Sequence, residues 1–536
     1  MATLLGLDIG TTAVKAGLFG DDGRLVGSGA QEYRLVTPAP DRAELDPEQY
    51  WNATRIAVGQ AVAASGLDRG SVGAIAVSSQ GETVIPVDRD GTPIGPAIVW
   101  LDNRASTEAR RIEERFGLER IYDVTGIPSV APTWTACKLL WWRANDRALF
   151  DATARFLLVE DFLLHRLTGR FVTDGGIQCT SLLFDIVERR WWGEMLDEVG
   201  IDPARLAEPV EPGVVVGELT ARAAEWLGLR PGLTVVAGGM DQGAGAVGIG
   251  NTGPGVVSES TGGALTLQAS VDRHGRDPSR QTPVYIHSAP ARYLYCPVCP
   301  TGGMALTWFR DTFGHEEIVR AARDGTVAYD LLTGLAATVP AGSDGLLLLP
   351  HLAGAFSPEY DPNARGVFFG FGLGHGKGHF VRATLEGVAF MLRRNVELLA
   401  AAGAPASEIH SHGGGARSPL WNQIKADVCG LPVVTLRGED AAIRGDAMLA
   451  GVAAGVFRDL DEAGRAMVGL DRRFEPNPAN AAVYEASYGR YRDLFLALQP
   501  IFAASAAEAE SSAAGRLEGA RRIRHDMNVR EEGGSR

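Results

Sequence analysis

The sequence predicts an α/β protein built from two related domains that face each other across a cleft. Short apolar runs typical of strands alternate with amphipathic segments typical of helices. The chain opens with a strand, a glycine turn and a second strand, and residues 254–270 return to the same pattern. Because each pattern places a glycine turn at the end of its first strand, we expect the two turns to line one shared site.

The first half of the chain starts with a meander of three strands. Asp8 stands near the end of the first strand, the GTT turn at 10–12 leads into the second, and the DDG turn at 21–23 leads into the third. Hydrophobic period and turn residues then predict a mixture of helices and buried strands. The elements predicted for this half are strands at 3–9, 13–19 and 24–31, a helix at 47–65, strands at 73–80 and 83–88, and helices at 109–122 and 134–146.

The second half begins at a glycine-rich stretch, 245–255, which contains Pro254 and predicts a domain boundary. It divides the chain into an N-terminal domain over 1–250 and a C-terminal domain over 251–502. Small and charged residues dominate beyond residue 502, so residues 503–536 are predicted to be a flexible tail. The elements predicted after the boundary are two strands within 254–270, a helix that starts at 301–304, a buried strand and loop at 344–354, a long amphipathic helix at 379–403, a strand before the glycine loop at 412–417 and a helix at 418–430.

Composition and charge restrict the partners. The chain has 536 residues, of which 45% are hydrophobic and 22% charged, and its formal net charge is −14. Such an acidic chain is poorly suited to nucleic acid or an anionic membrane, since both require basic patches. Five scattered cysteines favour a reducing compartment. Neither a signal peptide nor a run of about 18 apolar residues is predicted, so we expect a cytoplasmic protein without nucleic-acid or membrane partners.

The first glycine turn combines groups that suit a phosphate and a metal ion. Backbone amides and the hydroxyls of Thr11 and Thr12 can hold phosphate oxygens, and Lys15 can supply positive charge. Asp8 is a candidate ligand for Mg²⁺, through water, because Mg²⁺ keeps much of its hydration shell. An ordinary hairpin would show the same D-x-G-T-T pattern, so the prediction depends on further segments.

Three later glycine segments offer backbone amides to the same nucleotide. They are the STGG turn from residue 260, the TGGM turn from residue 301, and HGGGARS, which lies between a predicted strand and a predicted helix. The residues assigned to the nucleotide in these segments are Thr261, Gly262, Gly303, Gly414, Gly415 and Ser418.

Two commoner nucleotide motifs are weighed against this interpretation. No G-x-x-x-x-G-K-[ST] sequence occurs, which excludes a P-loop. A G-x-G-x-x-G occurs at Gly243, Gly245 and Gly248 and is typical of dinucleotide oxidoreductases. The next acidic residue, Glu259, follows about eleven residues later instead of about twenty, and a strand-like segment comes next. The spacing therefore disfavours a dinucleotide site.

Five segments, in order, resemble the FGGY family of carbohydrate kinases over about residues 3–500. They are GLDIGTTAVKAGLF, SSQGETVIPVDRDGTPIGPAIVWLDNR, AGGMDQGAGAVGIG, GVFFGFGLGHGKGHFVRATLEGVAF and GGGARSPLWNQIKADVCGLPV. The resemblance implies two ribonuclease-H-like domains of the actin and hexokinase ATPase type, which close around a central cleft on a sugar and MgATP.

The resemblance also implies roles on the sugar side. Asp241, in the GG-x-D loop, is expected to be the base that accepts the proton of the attacking hydroxyl. Gln80 and Glu82 stand in a segment similar to the Q-R-E-T of glycerol kinases and are expected to bind substrate hydroxyls. Gly81 stands in place of the arginine and is expected to leave room for a substrate larger than glycerol. The other residues assigned to the sugar pocket are Gln242, Trp100 and Asp102.

Arg444 and Asp446 depart from the family, which has small residues there, and we expect them to pair with each other or to contact the adenine side. The sequence thus predicts an ATP- and Mg²⁺-dependent kinase for a ketopentose or polyol, similar to xylulokinases. A glycerol-, erythritol- or xylitol-type polyol kinase and a catalytically silent sugar sensor stay open as alternatives. Since dimers are common in the family, a homodimer is a further expectation.

Overall fold

The computed structural model describes residues 3–273, 277–438 and 440–533, with side chains described as far as residue 508. Two mixed β-sheets, each flanked by helices, dominate this part of the chain. Residues 503–533 continue the last helix, and 534–536 lie outside the described residues. The flexibility of the tail and the domain limits at 250 and 502 stay predictions.

The predicted strands of the first half form from apolar runs that end at glycine turns. The strands are β1 (Thr3–Ile9), β2 (Ala13–Phe19), β3 (Leu25–Glu32), β4 (Glu44–Leu45), β5 (Val72–Ser79), β6 (Val84–Val87), β7 (Ala97–Ile98), β8 (Arg155–Leu158), β9 (Val172–Asp174), β10 (Phe184–Asp185), β11 (Arg190–Trp191), β12 (Glu208–Val210), β13 (Val215–Glu218) and β14 (Thr234–Met240). The helices are α1 (Glu48–Ser65), α2 (Ser106–Phe116), α3 (Leu118–Thr125), α4 (Thr135–Asn145), α5 (Arg147–Ala152), α6 (Val159–Thr168), α7 (Gly175–Gln178), α8 (Gly193–Val199), α9 (Ala221–Leu227) and α10 (Asp241–Gly248). The single helix predicted over 109–122 is divided, because Gly117 adopts a φ of +72° between α2 and α3.

The second half repeats the alternation of strands and helices. The strands are β15 (Val256–Thr261), β16 (Leu265–Val271), β17 (Val284–Ile286), β18 (Tyr293–Tyr295), β19 (Val298–Cys299), β20 (Leu347–Leu349), β21 (Val367–Phe369), β22 (Glu408–His412), β23 (Val433–Leu436) and β24 (Leu470–Phe474). The helices are α11 (Met304–Phe313), α12 (His315–Asp324), α13 (Ala328–Ala337), α14 (Lys377–Ala401), α15 (Pro419–Cys429), α16 (Ala441–Ala453), α17 (Leu460–Met467) and α18 (Ala481–Gly533).

The two main sheets share one topology. In the first sheet, ordered β13–β14–β5–β1–β2–β3, strand β1 pairs antiparallel with β2 and parallel with β5, and β5 is parallel to β14. In the second sheet, β15 pairs antiparallel with β16 and parallel with β22, and β22 is parallel to β23. The strand–turn–strand repeat seen in the sequence is therefore a repeat of whole sheets, and the prediction of two related α/β domains is confirmed.

Helix α16 joins the two halves by packing on the first sheet. A Cβ added to Gly6 in β1 would come within 1.9 Å of the Ile443 carbonyl oxygen, and one added to Gly248 would come within 1.9 Å of the Ala441 carbonyl oxygen. Only glycine permits such close crossings. The G-x-G-x-x-G segment at 243–248 lies inside α10, not in a turn between a strand and a helix, so the structure contradicts the dinucleotide alternative.

Each sheet has its own apolar core. One core packs the first sheet against α1, α6 and α9, and the other surrounds α14 beside the second sheet. Among the helices of the described residues, we find none with the length and apolar character needed to cross a membrane.

Candidate active site

Three predicted functional side chains lie at the carboxyl ends of adjacent parallel strands. Asp8 stands near the end of β1, Gln80 follows β5, and Asp241 follows β14. Strand β5 lies between the other two strands, and Asp8 is in register with Ser78 near its end. Ligands of open parallel sheets bind at this edge. The fold thus brings Asp8, Gln80 and Asp241 together, as the sequence predicts.

Burial raises the pKa of both aspartates, and the charge of Asp241 adds to the shift of Asp8. Burial raises the pKa of Asp241 to about 6, although a hydrogen bond from the Gln242 amide opposes the shift. Burial and the charge of Asp241 raise the pKa of Asp8 to about 7, and Lys15 opposes this shift. Asp8 Oδ1 is buried and accepts no hydrogen bond within the described residues. A cation beside this oxygen would stabilise both carboxylates.

Gln80 is oriented by a tyrosine of α1. Its Nε2 donates to Tyr50 Oη at 2.9 Å, whereas its Oε1 is buried and accepts no hydrogen bond from any residue that the structure describes. A buried carbonyl oxygen without a partner costs about 1–3 kcal/mol. A substrate hydroxyl that donates to Gln80 Oε1 would remove this cost, so the oxygen is a candidate sugar contact.

Glu82 is held in an unusual backbone conformation. Its φ of +55° lies in the left-handed region, which costs a residue other than glycine about 1–3 kcal/mol. The Glu82 N–H donates to Thr180 Oγ1 at 3.2 Å, and its carbonyl oxygen accepts from Thr135 Oγ1 at 3.1 Å and Lys138 Nζ at 3.0 Å. Three side chains therefore stabilise the strained backbone of Glu82.

Burial disfavours the ionised forms of both Glu82 and Lys138. Burial raises the pKa of Glu82 to about 8; Lys138 opposes the shift and Asp241 adds to it. Burial lowers the pKa of Lys138, whose side chain is fully buried, to about 7. A carboxyl group that is protonated near neutral pH can donate as well as accept a hydrogen bond. Glu82 can therefore bind a hydroxyl in either sense.

The expectation that Gly81 leaves room beside the substrate is wrong. A Cβ added to Gly81 would lie 2.7 Å from Thr180 Oγ1 and 3.0 Å from Thr180 Cγ2. Thr180 is fully buried and fills the space where a side chain at position 81 would stand. The absence of a side chain therefore accommodates the protein itself, and Gly81 carries no information about substrate size.

We expect Gly81→Ala to lower the free energy of unfolding by about 1–3 kcal/mol, because the added methyl group overpacks against Thr180. Urea unfolding measures the change. Because Thr180→Ala removes the two closest opposing atoms, the double variant Gly81→Ala/Thr180→Ala should lose less stability than the sum of the two single variants. An unchanged midpoint in Gly81→Ala would contradict the close contact.

The other residues assigned to the sugar pocket are held by protein contacts. Trp100 Nε1 donates to Thr11 Oγ1 at 2.8 Å and so connects the sugar side with the first glycine turn. The carboxylate of buried Asp102 accepts from Arg104 Nε at 2.8 Å and from its Nη2 at 2.7 Å. Gln242 Oε1 accepts an internal hydrogen bond at 3.4 Å. These contacts give Asp102 a structural partner, and direct contact of the three residues with a sugar stays a prediction.

The two glycine turns occupy equivalent places in the repeated sheets. One turn joins β1 to β2 and carries Thr11 and Thr12; the other joins β15 to β16 and begins at Thr261. Thr12 and Lys15 are exposed, and Lys15 Nζ donates to Asp440 at 3.1 Å. The first turn can therefore present backbone amides, hydroxyls and a lysine to a bound phosphate.

The second turn is surrounded by the other predicted glycines. The Gly262 carbonyl oxygen accepts from Gly303 N at 2.7 Å, and a Cβ added to Gly415 would lie 2.6 Å from Thr261 Cβ. The Thr261 hydroxyl donates to the buried carboxylate of Glu259. Since this hydroxyl is already engaged, the turn offers a phosphate its backbone.

A cavity of about 440 Å³ lies beside the turns, within the size range of ligand pockets. Lys15, Gly414 and Arg417 line it. Ser418 has a different position: its hydroxyl accepts from Trp421 N at 3.3 Å and caps α15. Of the nucleotide residues predicted from the sequence, Lys15 and Gly414 thus border the cavity directly.

The two departures from the family do not pair with each other. Asp446 Oδ2 accepts from Ser78 Oγ at 2.8 Å, whereas Arg444 donates to the carbonyl oxygens of Gly248 at 2.6 Å and Arg437 at 2.9 Å. Both side chains are buried where α16 meets the first half. The expectation of an ion pair between them is therefore wrong, and a contact with the adenine side stays a prediction.

Sequence reasoning missed several buried polar residues that support the site, among them Tyr50, Lys138, Thr180 and Lys425. The two lysines are fully buried in helices, at positions where the neighbouring residues are apolar. A lysine in the apolar run TACKLLWW is a sequence signal, because an unpaired charge would not be buried there. Tyr50 and Thr180 carry no such signal, since both residue types are common in cores and turns.

Comparisons with known proteins agree with this geometry. Residues 3–248 match the model of the N-terminal domain, and residues 263–454 that of the C-terminal domain, of the FGGY family of carbohydrate kinases. A xylulose kinase of Bacillus subtilis is 29% identical over 495 residues, which cover 92% of this chain and 97% of the relative. A glycerol kinase of Trichlorobacter lovleyi is 34% identical over 497 residues, which cover 90% and 95%. The crystal structure of a xylulose kinase from Rhodospirillum rubrum matches with a TM-score of 0.86 at 30% identity and covers 93% of this chain and 99% of its own.

The two family models follow each other in the order of the two sheets, and together they match more than half of the chain. The relatives are matched over nearly their whole length, so the likeness covers both sides of the cleft. The chain is an ATP-dependent carbohydrate kinase and belongs to the FGGY family of carbohydrate kinases.

Proposed function

We propose that this kinase transfers the γ-phosphate of ATP to a hydroxyl of a neutral ketopentose or short polyol, with Asp241 as the base. The main support is the meeting of Asp241 and Gln80 at one sheet edge, with Glu82 close enough for the charge of Asp241 to raise the pKa of Glu82. An acceptor oxygen, a carboxyl group and a base around one space suit a compound with several adjacent hydroxyls.

The charges at this edge favour a neutral substrate over a sugar acid. The charge of Asp241 affects both Asp8 and Glu82, and Lys138, a buried cation beside Glu82, is bonded to the Glu82 backbone. A carboxylate on the substrate would meet three acidic groups and no uncommitted cation among the groups described here. Xylulose, ribulose, xylitol, erythritol and glycerol meet this requirement.

In the proposed reaction, the protein positions the hydroxyl and removes its proton. Gln80 Oε1 and the Glu82 carboxyl group orient the substrate. The ionised Asp241 accepts the proton as the hydroxyl oxygen attacks the γ-phosphorus and the bond from phosphorus to the bridging oxygen of ADP breaks. The amides of the two glycine turns at Thr11 and Gly262 hold phosphate oxygens from opposite sides. The nucleoside occupies the cavity that Gly414 lines.

Mg²⁺ is part of this proposal. Asp8 fits it, because its Oδ1 is buried, lacks a hydrogen bond within the described residues and has the carboxylate chemistry that Mg²⁺ prefers. The described residues include no cluster of three or more acidic, histidine or cysteine ligands, which agrees with an ion held mainly by phosphates and water. When bound, Mg²⁺ would neutralise charge on the phosphates.

An ADP-release assay with MgATP tests the proposal against a panel of ketoses, polyols and aldoses, with gluconate as the sugar acid. We expect turnover with one or more neutral compounds and little with gluconate. A preference for gluconate would contradict the charge argument. ATP binding without turnover on any compound would favour a sugar sensor.

The homodimer stays a prediction, which light scattering tests.

We expect kcat/KM to fall about tenfold per pH unit below about pH 6, because protonated Asp241 cannot accept the hydroxyl proton. The measurement is a pH series with the best substrate of the panel, at saturating MgATP. Unchanged kcat/KM between about pH 5 and pH 7 would contradict the role of Asp241 as the titrating base.

A further inference from the structure

Two buried carboxyl groups lie beneath the loop that carries Asp241. Glu160 is the second residue of α6 and Asp174 is the last residue of β9, and both side chains are fully buried. Glu160 Oε1 accepts from the backbone amides of Gly238 and Gly239, each at 3.0 Å. These glycines immediately precede Met240 and Asp241, so the two hydrogen bonds to Glu160 fix the end of β14.

Asp174 contacts the segment that lies on the sugar side of the site. Its Oδ1 accepts from the amides of Gly176 at 2.7 Å and Ile177 at 3.0 Å, at the start of α7. The turn after α7 carries Thr180, which accepts from the Glu82 amide. Glu160 thus holds the segment that precedes Asp241, and Asp174 holds the α7 turn whose Thr180 contacts Glu82.

The two carboxyl groups meet at Gly239, whose amide donates to Glu160 Oε1 at 3.0 Å and where an added Cβ would lie 3.5 Å from Asp174 Oδ2. Glu160 Oε2 and Asp174 Oδ2 are buried and accept from no N–H or O–H group of the described residues, yet each carboxyl group affects the other through a hydrogen bond. Two carboxyl groups can hydrogen-bond only when one of them carries a proton. Burial raises the pKa of Glu160 well above its usual value and that of Asp174 to about 6. The ionisable neighbours that affect the pair most, Asp161 and Glu211, are acidic.

Two further titratable groups border the pair. Cys179 follows α7, and the charge of Asp174 contributes to the raised pKa of its thiol. Asp446 of α16 lies beside Gly238, because a Cβ added to Gly238 would be 2.4 Å from Asp446 Oδ1. The pKa of both groups is raised by burial. Neither supplies a positive charge that could replace the proton between Glu160 and Asp174.

We propose that Glu160 and Asp174 share one proton, which Glu160 donates to Asp174, and that the pair positions both the Gly238–Gly239 segment before Asp241 and the α7 turn beneath Glu82. They are positioning residues, since neither contacts the proposed sugar. The effect on catalysis rests on the proposed function, whereas the shared proton does not.

Amide substitutions test the pair with almost no change of shape. In Glu160→Gln, the Nε2 group donates to Asp174 and Oε1 keeps both backbone amides. In Asp174→Asn, Nδ2 donates to an ionised Glu160 and Oδ1 keeps its own two amides. In the double variant, two NH₂ groups face each other, or one side chain turns its NH₂ toward backbone amides. We therefore expect each single variant to keep kcat within about threefold, and the double variant to lose about 10²-fold in kcat and to unfold at lower urea.

Proton release on unfolding provides a readout that needs no activity. Because the pKa of Glu160 is raised in the folded state, its contribution to stability is complete below its unfolded pKa and is lost as pH rises toward the folded value. At pH 7 the wild type should release about one proton more on unfolding than Glu160→Gln, as measured from the pH dependence of urea midpoints. The exposed Glu114→Gln serves as the matched control and should leave proton release unchanged.

The results separate this proposal from the proposed function. Equal proton release by the wild type and Glu160→Gln would overturn the shared proton. The same holds if the effects of the two single variants on kcat and stability simply add in the double variant, or if Glu160→Gln fails to fold. A shared proton without the loss of kcat in the double variant would overturn the positioning role. If the wild type phosphorylates no sugar, the stability measurements still decide whether the pair shares a proton.

Discussion

Replacing Asp241 by asparagine is expected to reduce kcat by about 10²–10⁴, equivalent to about 3–5 kcal/mol of transition-state stabilisation. Asparagine has nearly the same shape, and its oxygen can still accept the hydrogen bond of the Gln242 amide, so the start of α10 should be unchanged. The amide cannot accept a proton from the attacking hydroxyl. Because phosphoryl transfer also depends on positioning and on charge neutralisation, activity should decrease without disappearing.

ADP release under saturating MgATP measures the loss, and KM for the sugar should change little because the bound hydroxyls are held elsewhere. Asp197→Asn is the matched control, since Asp197 is exposed in α8, far along the chain from the site residues. Its kcat should equal that of the wild type. A loss below tenfold in Asp241→Asn would remove Asp241 from the role of base.

The sheets could be predicted because their information is local. Each strand of the β1–β2 and β15–β16 hairpins is an apolar run that ends at a glycine turn, and strand and turn preferences depend on neighbours in sequence. The carboxyl-end position of Asp8 follows from the same patterns, whereas β14, the strand before Asp241, is not among the predicted elements. What the patterns could not show is the pairing of distant strands, which the resemblance to the family supplied.

Gly81 and Ser418 show why the rest of the site could not be predicted. The space beside Gly81 is filled by Thr180, about a hundred residues later in the chain, and no local pattern indicates that contact. The glycine-rich loop predicts that Ser418 contacts the nucleotide, which stays a prediction, and the structure shows in addition that its hydroxyl caps the helix that follows. A polar residue in a loop can bind a ligand or satisfy the backbone, and the sequence does not distinguish these uses.

Buried charges were the largest omission, because each needs a distant partner. Lys138 stabilises the carbonyl oxygen of Glu82 from α4, and Lys425 in α15 reaches Glu259 in β15. Lys138 interrupts an apolar run in α4, which signals a buried charge, whereas α15 contains several other polar residues and gives no such signal for Lys425. The identity of its partner is a property of the folded chain, since the Lys425 and Glu259 positions are 166 residues apart.

Lys425→Met is expected to lower the free energy of unfolding by about 3–5 kcal/mol, because it leaves a buried carboxylate without its counterion. Lys425 Nζ lies 3.0 Å from both oxygens of Glu259, and neither side chain is exposed. The same carboxylate accepts from Ser411 Oγ at 2.6 Å and from the Thr261 hydroxyl. An uncompensated Glu259 would therefore also disturb the second glycine turn, and we expect KM for ATP to rise.

Urea unfolding measures the first effect, and two variants make the result specific. Lys377→Met removes a partly exposed pair with Glu317, whose Nζ–Oε1 distance is 2.9 Å, and should cost less than about 1 kcal/mol. Lys425→Met/Glu259→Gln removes both charges and should be more stable than Lys425→Met alone, since the isolated carboxylate is gone. If Lys425→Met costs no more than Lys377→Met, the ion pair does not stabilise this domain. If the double variant is the least stable of the three, the hydrogen bonds that the Glu259 carboxylate accepts from Ser411 and Thr261 matter more for stability than its unpaired charge.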